Sequence, residues 1–195
     1  MKILIACEES QTVCKAFREK GHEAYSCDVQ DCSGGHPEWH IKGDVLEQLN
    51  KGWDMIIAHP PCTYLANSGV QWLHKDHSRW EKMRESAEFF KTILNAPVEK
   101  LVVENPIIHK YAKEIIGENY TQTIQPWQFG EDASKRTCLW LKGVEPLKPT
   151  KIIKKHRYAN QSPCGANKLG PSPERAKLRS KTYKGIAKAM AEQWG

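Results

Sequence analysis

Short apolar runs that alternate with amphipathic stretches constrain this chain more than any other feature of its sequence. The run Lys2–Ala6 is followed by an amphipathic stretch, from Ser10 to Lys20, in which Ser10 stands at the capping position. Further runs, each ending at a polar residue, lie at Glu23–Cys27, Met55–Ala58 and Leu101–Val103. This rhythm predicts βαβ units and a parallel sheet. The carboxyl ends of its strands would line a ligand crevice.

The rest of the sequence predicts elements that complete one α/β domain over residues 1–195. We expect a helix, two strands near enough to pair antiparallel, and a terminal helix, at Ser78–Leu94, Gln122–Gln125, Cys138–Leu141 and Pro173–Trp194. Residues 143–173 are rich in Pro, Gly, Asn and Lys and show little periodicity. That composition predicts a basic loop region.

Positive charge is concentrated near the end of the chain. Between Lys142 and Lys188 there are 13 Lys and Arg against 2 Asp and Glu, a net of +11, whereas the remaining 16 and 21 give −5. Such asymmetry favours contact with a polyanion. A solvated surface of lysine-rich helices accounts for the same count equally well.

The cysteines and the start of the chain indicate a reducing compartment. There are seven cysteines, an odd and scattered set that does not suggest a disulfide framework. The chain starts without an export leader, and no run approaches the roughly 18 apolar residues of a membrane span. We therefore expect a cytoplasmic protein, in which a thiol stays available as a nucleophile.

Cys62 is the candidate nucleophile because two prolines precede it directly after an apolar run. Prolines fix the backbone, so this loop would hold a thiol at a defined angle to a flat substrate. A lone cysteine is more often an inert core residue. The interpretation therefore depends on the motifs that accompany Cys62.

Four motifs, in chain order, resemble those of the DNA cytosine-5 methyltransferases. Residues 60–62, Pro-Pro-Cys, resemble the nucleophile motif, although Thr63 stands where the family has glutamine. Glu104 and Asn105 resemble the family's Glu-Asn-Val motif. Residues 134–137, Ser-Lys-Arg-Thr, resemble its Gln-Arg-Arg segment, and the stretch around Tyr183 resembles its final helix motif. Four ordered motifs are far more specific than any one of them.

The resemblance implies a Rossmann-like methyltransferase fold of seven strands, mostly parallel with one antiparallel strand, and S-adenosylmethionine as the cofactor. It implies that the Cys62 thiolate adds to carbon 6 of cytosine, so that carbon 5 attacks the methyl group. It also implies that Glu104, as a carboxylic acid with a raised pKa, protonates or hydrogen-bonds to ring nitrogen 3. Arg136 would hold the base carbonyl.

The candidate cofactor ligands share positions just beyond the first four strands: Glu8, Ser10, Asp28, Asp44 and Pro60. The resemblance implies that Asp28 meets the ribose and Asp44 the adenine amine. The first turn lacks the glycines of the family, and glycine is what lets a backbone approach its ligand closely. A carboxylate at Glu8 or Glu9 would attract the cofactor's ammonium group and repel its carboxylate. We therefore expect weakened or altered cofactor binding.

The implied partner is DNA, with the target cytosine extruded or unpaired. The candidate DNA contacts are polar or basic residues near the nucleophile and in the basic segment: Ser68, Lys135, Lys154, Lys155 and Arg157. A short loop fills the interval in which the family carries a large target-recognition region. We therefore expect sequence specificity that is low or borrowed from a partner. This compact form resembles small phage-encoded cytosine methylases, which implies a role in marking phage DNA against nucleases of a bacterial host.

Three alternatives stay open. The same thiolate chemistry would suit a free nucleotide or a different transferred group, and the missing recognition region and glycines favour that version. A second possibility is a non-catalytic module that clamps DNA through its basic segment. The third concerns zinc, which the metal-ligand types at Cys27, Cys32, His36 and His40 invite. These four lie within 14 residues, and an irregular loop over the cofactor crevice is the favoured interpretation.

Overall fold

A seven-stranded sheet organises the chain in the computed structural model, which describes residues 1–165, 167–170, 172 and 175–195. The strand order is β3-β2-β1-β4-β5-β7-β6. The strands are β1 (Lys2–Ala6), β2 (Glu23–Asp28), β3 (His40–Lys42), β4 (Met55–Ala58), β5 (Lys100–Asn105), β6 (Gln122–Ile124) and β7 (Thr137–Lys142). Only β7 runs against its neighbours, β5 and β6. The predicted α/β fold class, mostly parallel with one antiparallel strand, is confirmed.

Six α-helices accompany the sheet in the described part of the chain: α1 (Thr12–Glu19), α2 (Gln71–Lys75), α3 (Arg79–Leu94), α4 (Lys110–Ile116), α5 (Arg175–Ser180) and α6 (Lys184–Trp194). The prediction of α3 is confirmed to within one residue. Helices α2 and α4 were not predicted, because five and seven residues carry too little periodicity to be recognised. Each helix in the described ranges is too short or too polar to cross a membrane.

The prediction of a single terminal helix from Pro173 to Trp194 is wrong. Two helices, α5 and α6, stand in its place, and the backbone between them is extended at Tyr183. Ser180 and Thr182 flank the break, and both have weaker helix propensity than the alanines of α6. Pro173 itself lies outside the described residues.

Two apolar layers cover the two faces of the sheet. On one face, Leu4, Ile56 and Val103 belong to a buried cluster that includes residues of α3 and α4. On the other, alternate strand residues pack with α1 and α6, and α6 lies against α1, so the end of the chain returns to β1 as predicted. Successive strand residues point to opposite faces. Glu104 therefore points to the face of α1 and α6.

Helix α1 begins differently from the prediction. Gln11, and not Ser10, is the N-cap residue, and its φ of 55° lies in the left-handed region. The Glu8 carboxylate accepts hydrogen bonds from the backbone N–H groups of Val13 (2.7 Å) and Cys14 (3.1 Å). The Ser10 hydroxyl instead contacts that of Thr12. The prediction of Ser10 as the cap is wrong, because the left-handed residue turns the chain so that Glu8 reaches the helix end.

We expect Glu8→Ala to lower the free energy of unfolding by about 1–2 kcal/mol, because two buried N–H groups lose their acceptor. Urea denaturation monitored by circular dichroism measures the change. Ser10→Ala is the matched control and is expected to cost much less. Equal losses in both variants would contradict Glu8 as the cap.

Candidate active site

The candidate site lies at the carboxyl ends of β1, β4 and β5. The chain leaves β1 toward β2 on one side, while β4 and β5 extend the sheet on the other. Loops that diverge at such a point open a crevice. The backbone N–H of His59, just after β4, donates to the carbonyl of Ala6 at 2.9 Å. This bond holds the loops of β1 and β4 together.

Cys62 lies in a tight turn after β4. Its carbonyl accepts the N–H groups of Leu65 (3.0 Å) and Ala66 (2.9 Å), and Leu65 is buried in the core. The Asn105 side chain donates to the carbonyl of Pro60 at 2.8 Å, so β5 also holds the loop. The Cys62 side chain is half-buried, at the edge of the crevice. A thiol at such an edge is accessible to a substrate, unlike one in the apolar interior.

The charges around Cys62 come from the other two predicted catalytic motifs and from α5. Burial and the negative charge of Glu104 raise the pKa of the Cys62 thiol, while the positive charges of Lys135 and Arg179 act to lower it. The raised pKa means that Cys62 rests as a thiol. It also means that Glu104 and Lys135 lie near enough to control when a thiolate forms.

Glu104 is a largely buried carboxylate, 14% exposed, whose partners keep it ionised. Burial acts to raise its pKa, but the positive charge of Lys135 and hydrogen bonds from His59 and Thr137 outweigh burial and hold the pKa below its usual range. His59 Nδ1 lies 3.2 Å from Glu104 Oε2. The expected raised pKa of Glu104 is therefore wrong for this site. The sequence did not reveal the neighbours that reverse it.

Lys135 faces Glu104, whereas Arg136 does not. Side chains alternate between the two faces as the chain enters β7, which places Lys135 and Thr137 together and Arg136 opposite. Arg136 is exposed, and its charge acts on the thiol of Cys138, which belongs to the other face of the sheet. Arg136, expected to hold the base carbonyl, therefore points away from Glu104, and the cation beside Glu104 is Lys135, which was expected to contact DNA.

A narrow cleft runs beside Glu104. Its lining residues come from β5, β6, β7 and the start of α6: Glu104, Ile124, Lys135, Thr137, Thr182, Tyr183, Ile186 and Met190. Its free volume of about 10 Å³ is that of a single water molecule. A pyrimidine is far larger, and Cys62 does not belong to this lining. Lys135 and the segment before α6 must therefore move apart for a base to reach both Cys62 and Glu104.

Two of the expected cofactor ligands converge near the end of β1. Asp28 ends β2, and Asp44 lies two residues beyond β3, where its carboxylate accepts the N–H of Leu46 at 2.9 Å. Burial and then the charges of Asp28 and Asp44 raise the pKa of the Cys7 thiol, so both carboxylates lie near this residue. A ribose and an adenine amine would find acceptors here. Pro60 is buried beside Asn105.

The loop between β2 and β3 covers the first turn. The Gln11 side chain exchanges two hydrogen bonds with the backbone of His36, at 2.7 and 3.1 Å. Ser33 bonds to Glu9 through both its N–H and its hydroxyl. Gly34 is wedged so closely that a Cβ would lie 2.4 Å from the Gln11 Cβ. Side chains thus occupy the turn in which the family carries glycines.

Glu9, which the sequence did not single out over Glu8, is the carboxylate left available in this turn. Both oxygens of Glu8 bond to the backbone of α1, so its expected role toward the cofactor is corrected to that of a helix cap. Ser10 bonds to Thr12. Glu9 Oε1 is buried and has no hydrogen-bond partner among the described residues. An ammonium group would satisfy it.

The four residues that suggested zinc do not form a site. The imidazole of His40 bonds to Ser26 Oγ (2.8 Å) and to the carbonyl of Gln30 (2.9 Å), while His36 stacks on Trp39. Within the described ranges, no group of three or more His, Cys, Asp or Glu side chains is arranged to hold a metal ion. The zinc hypothesis therefore finds no support in the arrangement of Cys27, Cys32, His36 and His40.

The expected DNA contacts other than Lys135 lie on the surface. Ser68, Lys154 and Arg157 are exposed, and Lys155 forms an ion pair with Asp132 at 2.5 Å. Ser68 is in a 3₁₀ turn shortly after the Cys62 loop, and the three basic residues are in the loop after β7.

An aromatic and basic surface that sequence reasoning missed follows the Cys62 loop directly. Trp72 on α2 is 49% exposed, with Lys75 Nζ 4.7 Å from its ring centroid. Nearby in the chain, the guanidinium of Arg79 lies 4.6 Å from the ring of Tyr64. Interleaved aromatic and basic residues over 64–79 are the signal that could have revealed this surface.

Comparison with known proteins finds chains of similar structure but no match in sequence. No protein-family model matches the chain, and no curated protein matches it in sequence. Among solved structures, the chain is similar to a methyltransferase of Entamoeba histolytica, at 15% identity and a TM-score of 0.48. The match covers 80% of this chain and 57% of that one, so this chain spans little more than half the length of its structural neighbour.

Proposed function

We propose that this chain transfers a methyl group from S-adenosylmethionine to carbon 5 of cytosine in DNA, with Cys62 as a covalent nucleophile. One observation carries the proposal. Cys62, Glu104 and Lys135 come from three separate motifs, and at the carboxyl edge of the sheet the charges of Glu104 and Lys135 shift the pKa of Cys62, while Lys135 also shifts that of Glu104. Such a cluster of nucleophile, acid and cation is what attack on a pyrimidine ring requires.

The chemistry divides among these three residues. Carbon 5 of cytosine is a poor nucleophile until the Cys62 thiolate bonds to carbon 6 and shifts an electron pair toward ring nitrogen 3. Glu104 donates a proton to that nitrogen, and Lys135 offsets the negative charge that develops. When bound, S-adenosylmethionine supplies an electrophilic methyl group for carbon 5. Loss of the carbon 5 proton then restores the ring and releases Cys62.

The crevice offers carboxylates that suit the polar ends of S-adenosylmethionine. Asp28 and Asp44 lie near Cys7, where they fit a ribose and an adenine amine. The unpartnered oxygen of Glu9 fits an ammonium group. Gln11 and Gly34 fill the turn beside them, so the loop between β2 and β3 must shift to admit the methionine end. This fit supports binding weaker than the family's usual level.

We expect Cys62→Ala to reduce methyl transfer to DNA by at least about 10³-fold, because the covalent step is lost. Transfer of labelled methyl groups from S-adenosylmethionine to cytosine-containing DNA and to dCMP measures it. Cys164→Ala, which alters an exposed cysteine, is the control. Labelling of dCMP alone would favour the nucleotide alternative. Tight DNA binding by a wild type without turnover would favour the non-catalytic module.

Alkylation of Cys62 tests the electrostatics of the site without any substrate. Lys135→Met removes a positive charge and raises the thiol pKa further, so iodoacetamide should react more slowly; Glu104→Gln removes a negative charge and should accelerate it. Peptide-resolved mass spectrometry distinguishes Cys62 from the other cysteines. Lys148→Met, at an exposed lysine, is the control and should change nothing. Changes of the same sign in both site variants would refute this arrangement of charges.

The surface around Trp72 predicts a preference for single-stranded DNA, because an exposed ring stacks on unpaired bases. We expect Trp72→Ala to weaken binding of a single-stranded oligonucleotide by about tenfold and to change duplex binding much less. Fluorescence anisotropy measures both. Ile152→Ala, which truncates a side chain of comparable exposure without a flat ring, is the matched control. Equal effects of Trp72→Ala on both forms of DNA would contradict stacking.

A further inference from the structure

His59 is an ionisable residue in the candidate site that the chemistry above leaves without a role. It stands between β4 and the two prolines that precede Cys62, and its side chain is only 7% exposed. Its Nδ1 lies 3.2 Å from Glu104 Oε2, while its Nε2 is buried and unpartnered among the described residues. Leaving a buried nitrogen unpaired is unfavourable, and a catalytic role is one of the reasons why native proteins retain such an atom.

One of the charged groups that face His59 is Glu104 of β5, whose Oε2 lies 3.2 Å from Nδ1. On the β1 side, burial raises the pKa of Glu8 and the charge of His59 acts to lower it, so the two side chains are neighbours. The imidazole therefore stands between two buried carboxyl groups, one that caps α1 and one that would meet the substrate.

The proposed reaction needs a proton that Glu104 does not hold at rest. Addition of the Cys62 thiolate to carbon 6 leaves an electron pair on ring nitrogen 3, which must bind a proton. Glu104 is ionised, and the groups that bond to its carboxylate are His59 and Thr137. A threonine hydroxyl is far too weak an acid to give up its proton. An imidazolium is a strong enough acid to donate one.

We propose that His59 is a positioning residue that holds Glu104 and supplies it with the proton for ring nitrogen 3. This inference rests on the proposed function. The Cys62 thiol, half-exposed at the edge of the crevice, first loses its proton to water. As the C6–S bond then forms, the proton on Nδ1 of the imidazolium passes to Glu104 Oε2, and the carboxyl group delivers a proton to ring nitrogen 3. His59 is left neutral with its remaining hydrogen on Nε2. When the Cys62 thiolate departs, the proton of ring nitrogen 3 returns along the same path, the carbon 5 proton leaves to water, and the thiolate takes a proton from water.

His59→Asn separates holding from proton supply. The asparagine amide places an N–H near the position of Nδ1 and keeps the hydrogen bond to Glu104, but it cannot release a proton. The readout is exchange of the carbon 5 hydrogen of cytosine in an oligonucleotide with D₂O, which reports addition of Cys62 without any cofactor. His77→Asn, at an exposed histidine outside the site, is the control.

We expect His59→Asn to slow exchange by about 10²-fold, because the amide still holds Glu104 but supplies no proton. Cys62 should still be alkylated in this variant, which shows that the loop is intact. A wild-type exchange rate in His59→Asn would overturn the inference. A residue that only holds Glu104 would give that result.

A second measurement decides the matter even if His59→Asn fails to fold. In ¹⁵N-histidine-labelled protein, the Nδ1 signal of His59 should change its titration when Glu104→Gln is introduced, because the carboxylate is lost. Identical titrations would overturn the inference. A coupled titration in a wild type that exchanges no carbon 5 hydrogen would instead reject the proposed function, and the proton role with it, while leaving the pair of side chains intact.

Discussion

The register of three parallel strands determines almost everything about the candidate site. Ala58 of β4 is paired with Ala6 of β1 on one side and with Val103 of β5 on the other. The next residue on each strand is therefore at the same level, which puts His59 beside Glu104 at 3.2 Å. A shift of one residue in either pairing would turn one side chain to the opposite face. The backbone bond from His59 to Ala6 fixes this alignment.

The same register explains why the sequence predicted part of the site. Apolar runs located β1, β4 and β5, and parallel strands end at a common edge, so Cys62 and Glu104 had to converge. The sequence did not predict which of Lys135 and Arg136 faces Glu104. The strand was predicted to start at Cys138, whereas β7 starts at Thr137 and carries its alternation back toward Lys135. Arg136 was chosen because the resemblance to the Gln-Arg-Arg segment favoured an arginine, whereas the alternation along β7 puts Lys135 on the side of Glu104.

The first turn shows a second limit of sequence reasoning. The absence of glycine was visible in the sequence, and so were the two adjacent carboxylates. Their roles depend on left-handed backbone at Cys7 and Gln11, which brings Glu8 under α1 and leaves Glu9 against the loop that carries Ser33. Residues other than glycine and asparagine adopt that conformation rarely. A periodic pattern therefore contains no sign of it, and the choice between neighbouring carboxylates rests on tertiary contacts.

The charges in the site connect its nucleophile to its acid. Glu104 raises the pKa of Cys62 because it is ionised, so a proton on Glu104 would remove that influence and leave Lys135 and Arg179 to favour the thiolate. The influence is mutual, since two interacting groups titrate as a pair. At rest, burial and the charge of Glu104 keep Cys62 as a thiol, while Lys135 and His59 keep Glu104 as a carboxylate. Protonation of Glu104 and ionisation of Cys62 therefore favour each other, and in the proposed reaction this would couple attack on the ring to protonation of its nitrogen.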